Sequence, residues 1–176
     1  KGNYVLFPDA DDEYNENYIS GLLEMAEASG ADIAMCYASL EDKQTQEQVK
    51  TFGHNGYFYP KNKAIPTQSI SRLLTITNNA AHNKIFKTSM IKENQLYFLE
   101  TMSINDMFFT MCALVFSKNI VFMDDCLYTI KRNRNQQSIS TNRGNHWLDL
   151  ITTFQELYAW LEERDCFEKY KKDYLS

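Results

Sequence analysis

The chain has 176 residues, of which 44% are apolar, 23% charged and 14% aromatic. That composition excludes wholesale disorder and fits one domain, or one domain with a small appendage. Eighteen Lys and Arg against 23 Asp and Glu leave a formal charge of −5, which argues against broad nucleic-acid binding but not against a local basic pocket.

Residues 4–7 are an apolar run ended by Pro8 and three acids, which predicts a buried strand running into a loop. Residues 14–29 place Tyr18, Leu22, Leu23, Met25 and Ala26 near helical spacing, with Gly30 as C-cap. Residues 32–40 return to a strand pattern in which Ile33, Met35 and Tyr37 alternate. Strand, helix, strand in this order predicts part of an α/β sheet. Residues 41–63 are polar, with an aromatic island at Tyr57, Phe58 and Tyr59, and read as a hairpin or lid. Ser69 or Ser71 is expected to cap a short helix carrying Leu73, Leu74 and Ile76. Short extended pieces are expected at 83–86 and 95–99, with a helical turn at 87–93 between them. Ser103 is the expected N-cap of a helix over 104–115. Residues 120–123 and 126–130 read as two short strands separated by Asp124 and Asp125. Residues 131–142 are polar and basic. Residues 144–174 read as helical, broken near Asp165, with Trp147, Leu148, Ile151, Phe154, Leu157, Tyr158 and Leu161 forming the amphipathic stripe.

The longest dense apolar stretch, 107–116, is too short to cross a bilayer. Cys36, Cys112, Cys126 and Cys166 form no CxxC pair and read as reduced thiols, which favours a cytosolic setting. His54, His82 and His146 have no zinc spacing. The chain starts almost directly in an apolar strand, as one cut at an internal point would.

Three segments carry candidate chemistry. Asp9, Asp11 and Asp12 follow an apolar strand at the end where open α/β sheets bind ligands. Asp9 and Asp11, two apart, supply hard oxygen ligands suited to Mg2+ or Mn2+, or else form a solvated turn whose acids cap the next helix. Asp106 falls in the first turn of an apolar helix, as a general base at a pocket rim or as an ordinary helix-start acid. Lys131, Arg132 and Arg134, with Ser138 and Ser140 beyond, could clamp a diphosphate or form a solvated loop. His82, beside Asn83 and Lys84, is either part of an acceptor pocket or structural. Tyr57, Phe58 and Tyr59 could stack on a sugar but read as hairpin packing.

The segments KGNYVLFPDADDEYNENYISGLLEMAEASGADI, NKIFKTSMIKENQLYF, INDMFF and LYTIKRNRNQQSIS, in this order, resemble a family 2 glycosyltransferase of the GT-A type. The resemblance covers about residues 1–140. It implies an α/β fold: a partial GT-A mixed sheet with flanking helices over 1–142, and a helical C-terminal extension over 143–176. It implies an enzyme that transfers a sugar from a nucleotide-diphosphate sugar to a carbohydrate or lipid-linked acceptor, with inversion. The alternatives are a non-catalytic carbohydrate-binding or assembly module and, behind it, a metal-dependent phosphohydrolase.

By the same resemblance, Asp9 and Asp11 hold Mg2+ or Mn2+ and the donor diphosphate, and Asp12 adjoins the donor. Asp106 deprotonates the acceptor, Lys131, Arg132 and Arg134 help the diphosphate leave, and His82 and Asn105 line the acceptor wall. The sequence departs from the family pattern in Asn105 for a usual Glu, His82 for Trp, Ile130 for an aromatic and Pro8 for an aliphatic residue. The family's opening Ile-Pro-x-Tyr-Asn-like strand, with the helix and acidic strand that follow it and grip the nucleotide, does not precede Lys1. The chain is therefore expected to be a C-terminal portion lacking the nucleotide-binding half, inactive alone, with a strand edge at 4–7 open to self-pairing. The expected setting is bacterial polysaccharide biosynthesis in the cytoplasm or at the inner membrane face, with possible peripheral membrane association and no nucleic-acid partner.

Overall fold

The computed structural model describes residues 2–42, 44–45, 48–54, 59–132 and 143–176. In chain order the elements are β1 (Tyr4–Leu6), β2 (Glu13–Tyr14), α1 (Tyr18–Ser29), β3 (Ile33–Asp42), β4 (Gln48–Phe52), β5 (Ala64–Pro66), β6 (Lys84–Lys87), α2 (Thr88–Glu93), α3 (Asn105–Phe116), β7 (Asn119–Arg132), α4 (Arg143–Glu162) and α5 (Phe167–Tyr174). The strands form one mixed sheet in the order β1-β6-β3-β7-β2, with β4 added to β3 and β5 to β7. β3 and β7 run parallel, and the other pairings are antiparallel.

Period-2 alternation builds a core on each face. Ile33 and Met35 of β3, with Ile120 and Phe122 of β7, face the layer containing α2, α3, α4 and α5. Ala34, Cys36 and Ala38, with Val121 and Met123, face α1 through Leu22 and Ala26. Leu157, Trp160 and Leu161 of α4 belong to the first core. Trp147, Leu148, Ile151 and Tyr158 are exposed, so the inward face of α4 is Thr153, Leu157, Trp160 and Leu161 rather than the whole expected stripe. Leu161 is fully buried. Leu161→Ala is expected to lower unfolding stability by about 2–5 kcal/mol, read by thermal or urea melts; a loss near zero would mean that α4 is not part of this core.

Other departures have local causes. Tyr14, expected to open the helix, instead joins Glu13 in β2, the two pairing with Tyr128 and Thr129 of β7. The Asn15 side chain then accepts the Asn17 N–H at 2.9 Å, turning the chain into α1. Asp124 and Asp125 do not split β7. The register passes from Met35–Phe122 to Tyr37–Cys126, so the acids occupy a bulge inside one strand. Ser103 is not the cap of α3. Ile104 precedes the helix at φ 50°, and Asp149 of α4 accepts from the Ser103 N–H at 2.9 Å and its hydroxyl at 2.7 Å. Neither Ser69 nor Ser71 caps the 3-10 turn at Leu73–Thr75; Asp173 of α5 accepts the Leu74 N–H at 3.0 Å. Of the segment 41–63 expected as a hairpin or lid, the described part includes β4, which pairs antiparallel with β3 from Ala38–Phe52 to Glu41–Gln48. Its backbone approach is close: a Cβ on Gly53 would lie 2.8 Å from the Cys36 carbonyl oxygen. The break near Asp165 is present, with that residue at φ 52°. Among the described residues, no helix is long and apolar enough to cross a membrane.

Candidate active site

β1 delivers the chain to an anchored turn. The Phe7 ring packs within 5.9 Å of Phe86, 4.9 Å of Phe98 and 5.2 Å of Phe109, and Pro8 then leads out to the acids. The Tyr14 hydroxyl donates to the Asp9 carbonyl oxygen at 2.5 Å. Asp12 is half-buried and fastens the turn to β7. Its Oδ2 accepts from the Tyr128 hydroxyl and its Oδ1 from the Lys131 N–H at 3.0 Å. Burial, then Asp12, pushes the Tyr128 hydroxyl up, so it stays a donor. With Asp12 engaged, Asp9 and Asp11 remain exposed. A cleft of about 350 Å3 opens at Pro8, the residue before Asp9, and is lined also by Leu6, Tyr14, Asn15, Glu16, Tyr18 and Ile19.

Residues 78–83 meet this turn from the other side. His82 Nδ1 is 3.6 Å from Asp9 Oδ2. Its ring stacks on Tyr128 at 4.6 Å, and its carbonyl accepts from the Tyr18 hydroxyl at 2.5 Å. His82 Nε2 is buried and has no hydrogen-bond partner among the described residues.

Asp106 reaches the same segment from the first turn of α3. Its Oδ2 accepts the Ala81 N–H at 3.2 Å. Burial pushes its carboxyl up from the usual carboxylate range, while the Ala81 N–H, His82 and Lys84 oppose that rise. Asp9 and Asp106 thus contact adjacent residues, 82 and 81. Asn105 is exposed beside Asp106 at the helix start.

The basic segment is only partly drawn in. The Lys131 ammonium lies 2.6 Å from Glu41 and 2.9 Å from Glu13, so its charge is already matched. Arg132 ends β7, paired through its backbone with Asp42. Arg134, Ser138 and Ser140 lie outside the described residues, as do Tyr57 and Phe58 of the aromatic island.

Four further residues organise the site: Tyr14 and Tyr128, to which the sequence reading gives no site role, Tyr18, read only as part of a helical stripe, and Lys84, read only as a neighbour of His82 in a candidate acceptor pocket. The tyrosines carry no signal beyond their type. Lys84 carries none either: it flanks the two-residue apolar pair Ile85-Phe86 as Lys87 does on the other side, and nothing local says that it is the buried one.

The donor set suits a small hard cation only in part. Among the described residues, no three His, Cys, Asp or Glu side chains are grouped to hold a metal ion. Two outward carboxylates do fit a cation whose remaining positions come from water and phosphate oxygens.

The structural neighbours share this fold. Staphylococcus aureus TarS residues 1–349 in complex with UDP-GlcNAc aligns with a TM-score of 0.68 at 19% identity, over 92% of this chain and 43% of that one. The same TarS region in complex with UDP gives 0.61 at 17% identity, over 92% and 41%. By sequence, the poly(ribitol-phosphate) beta-N-acetylglucosaminyltransferase TarS of two S. aureus strains is 26% identical over 144 residues, 80% of this chain. The chain spans 23% of the length of those curated relatives. The sheet with its flanking helices is accordingly a partial GT-A-like fold.

The family model for glycosyl transferase family 2 matches residues 1–94. That match corrects the expectation of a C-terminal portion lacking the family's N-terminal half: the family domain lies in the N-terminal part of this chain. The expectation rested on the family's opening strand, helix and acidic strand not preceding Lys1, and with its correction the expected inactivity of the chain alone loses its ground. With more than half of its residues matched, the chain belongs to glycosyl transferase family 2.

Proposed function

We propose that the chain serves transfer of a sugar from a nucleotide-diphosphate sugar to a carbohydrate or lipid-linked acceptor, with inversion at the sugar carbon. Asp9 and Asp11 would hold Mg2+ or Mn2+ together with the donor diphosphate; family membership implies metal dependence in general. The bound cation would supply charge stabilisation to the leaving diphosphate. Asp106 takes the acceptor hydroxyl proton as the acceptor oxygen forms its bond to the sugar carbon. The bond from that carbon to the diphosphate breaks on the opposite face, and the diphosphate leaves with the electron pair. The raised proton affinity of Asp106 makes it a better base than a solvated carboxylate. His82 and Asn105 line the acceptor side. Arg132 and Arg134 steady the diphosphate, and Lys131 joins them only by leaving Glu13 and Glu41. The proposed setting is polysaccharide biosynthesis on the cytoplasmic side, at the membrane face when the acceptor is lipid-linked.

One observation carries this reading: Asp9 and Asp106, 97 positions apart in sequence, contact the adjacent residues His82 and Ala81. UDP-GlcNAc is the donor to try first, because TarS is solved with it, and a poly(ribitol-phosphate) chain is the acceptor, because TarS is named for it. Titration calorimetry with Mn2+ is expected to show metal-dependent UDP-GlcNAc binding, and a transfer assay to show UDP release that requires acceptor. Saturable sugar binding without metal or nucleotide would contradict it and favour a carbohydrate-binding module. Metal-dependent phosphate release without acceptor would favour a phosphohydrolase.

A further inference from the structure

Lys84 opens β6 and is fully buried. A buried ammonium is costly unless its protons are matched, yet among the described residues this one touches no carboxylate. Its Nζ instead lies 3.0 Å from the Asn78 carbonyl oxygen, 3.0 Å from Asn78 Oδ1, 2.6 Å from the Ala80 carbonyl oxygen and 2.7 Å from Asn83 Oδ1. Four neutral oxygens from one short turn surround one cation. Each is fixed in place by it, and none cancels its charge.

The turn so gathered makes the contacts that define the site. Ala81 donates to Asp106, His82 lies beside Asp9, and the Asn83 side chain donates to the Cys36 carbonyl oxygen at 2.7 Å, fastening the turn to β3. We propose that Lys84 is the positioning residue of this site: its ammonium pins the turn at 78–83, which sets the Ala81 N–H on Asp106 and His82 beside Asp9, and its uncancelled charge favours the ionised form of Asp106. This rests on Asp106 being the base.

Electrostatics agree with the geometry. The groups that bear on Asp106 are His82 and Lys84; those that bear on Lys84 are Asp106 and the Cys36 thiol. Burial lowers Lys84 to about 7, so it carries its charge over the acidic range in which a carboxyl group titrates. A carboxylate partner on Lys84 would have cancelled that field; amide and carbonyl oxygens do not.

The test uses the whole chain and two variants, Lys84→Met and Asn78→Asp. The first removes the cation. The second keeps the cation and the turn but places a carboxylate against Lys84, and it stays informative if Lys84→Met does not fold. The readout is the carbon-13 shift of the Asp106 carboxyl carbon against pH, which needs no turnover. Both variants are expected to raise the Asp106 midpoint by about one pH unit. The acidic limb of kcat/KM then moves up equally, a loss of about tenfold on the acid side of the midpoint with donor KM unchanged. Lys84→Met is also expected to expose the Ala81 amide to faster hydrogen exchange, and Asn78→Asp to leave it protected. An Asp106 midpoint unmoved in Asn78→Asp, or in a folded Lys84→Met, overturns the role of Lys84. An Asp106→Asn variant with full turnover sinks the base assignment instead, so the two failures are told apart.

Discussion

Asp106→Asn is expected to lower kcat by about 10²- to 10⁴-fold, the range in which a positioned general base contributes, while the fold and donor binding remain. The substitution is nearly isosteric, and an amide oxygen can still accept the Ala81 N–H that Oδ2 now holds. Only the ability to take a proton is removed. Stability should respond with the opposite sign. Burial raises the native carboxyl above its usual value, so the folded state binds a proton more readily than the unfolded chain. The stability contributed by this group is therefore full below the unfolded value, near 4 for an aspartate, and is lost as pH rises through the native value. At pH 8 the ionised Asp106 is a net cost, and the Asn variant should melt at the same temperature or slightly higher. Toward pH 4 the wild type should regain the difference. Melting curves at both pH values with a single-turnover assay check this; turnover near the wild-type rate would remove Asp106 from the chemistry.

The second large effect is expected at the acidic turn. Replacing Asp9 and Asp11 together by Asn should weaken Mn2+-dependent UDP-GlcNAc binding by more than about 100-fold, since even outer-shell partners of a metal ligand are worth about 10–100-fold in affinity. The fold should barely change, because both side chains are exposed and the turn is held by other groups: the Tyr14 hydroxyl on the Asp9 carbonyl, and Asp12 on Tyr128 and Lys131. Asp12→Asn is the contrasting control. Its carboxylate already accepts from the Tyr128 hydroxyl and the Lys131 N–H, so that change should lower the melting temperature. Titration calorimetry with and without Mn2+ separates the two; unchanged donor affinity in the double variant would leave Asp9 and Asp11 as a solvated turn.

Much of this fold is legible in the sequence where a pattern is local. The apolar run at 4–7, the Gly30 cap, the alternation after Asp32 and the break at Asp165 each follow from a few neighbouring residues and their backbone preferences. Misreadings occur where a distant partner overrides such a preference. Ser103 looks like a cap until Asp149, 46 residues later, takes both its N–H and its hydroxyl. Asp124 and Asp125 look like a strand end until β3 runs alongside and leaves them in a bulge. The exposed Trp147, Leu148 and Ile151 fit a buried stripe by period alone, because spacing does not say which side of a helix has a partner.

The site divides in the same way. The candidate acids Asp9, Asp11 and Asp106 are readable as residue types after a strand and at a helix start. The turn that joins them is not: the roles of Lys84 and Tyr128 arise only when β6 and β7 bring them to oxygens that no spacing predicts.

The reading stands or falls on the acidic turn and the start of α3 sharing one cleft. Mn2+ bound with UDP should broaden the NMR signals of Ala81, His82 and Asp106 and spare those of α5, and the effect should vanish in the Asp9→Asn, Asp11→Asn double variant. Broadening centred instead on Asp124 and Asp125, with Asp106 untouched, would contradict it.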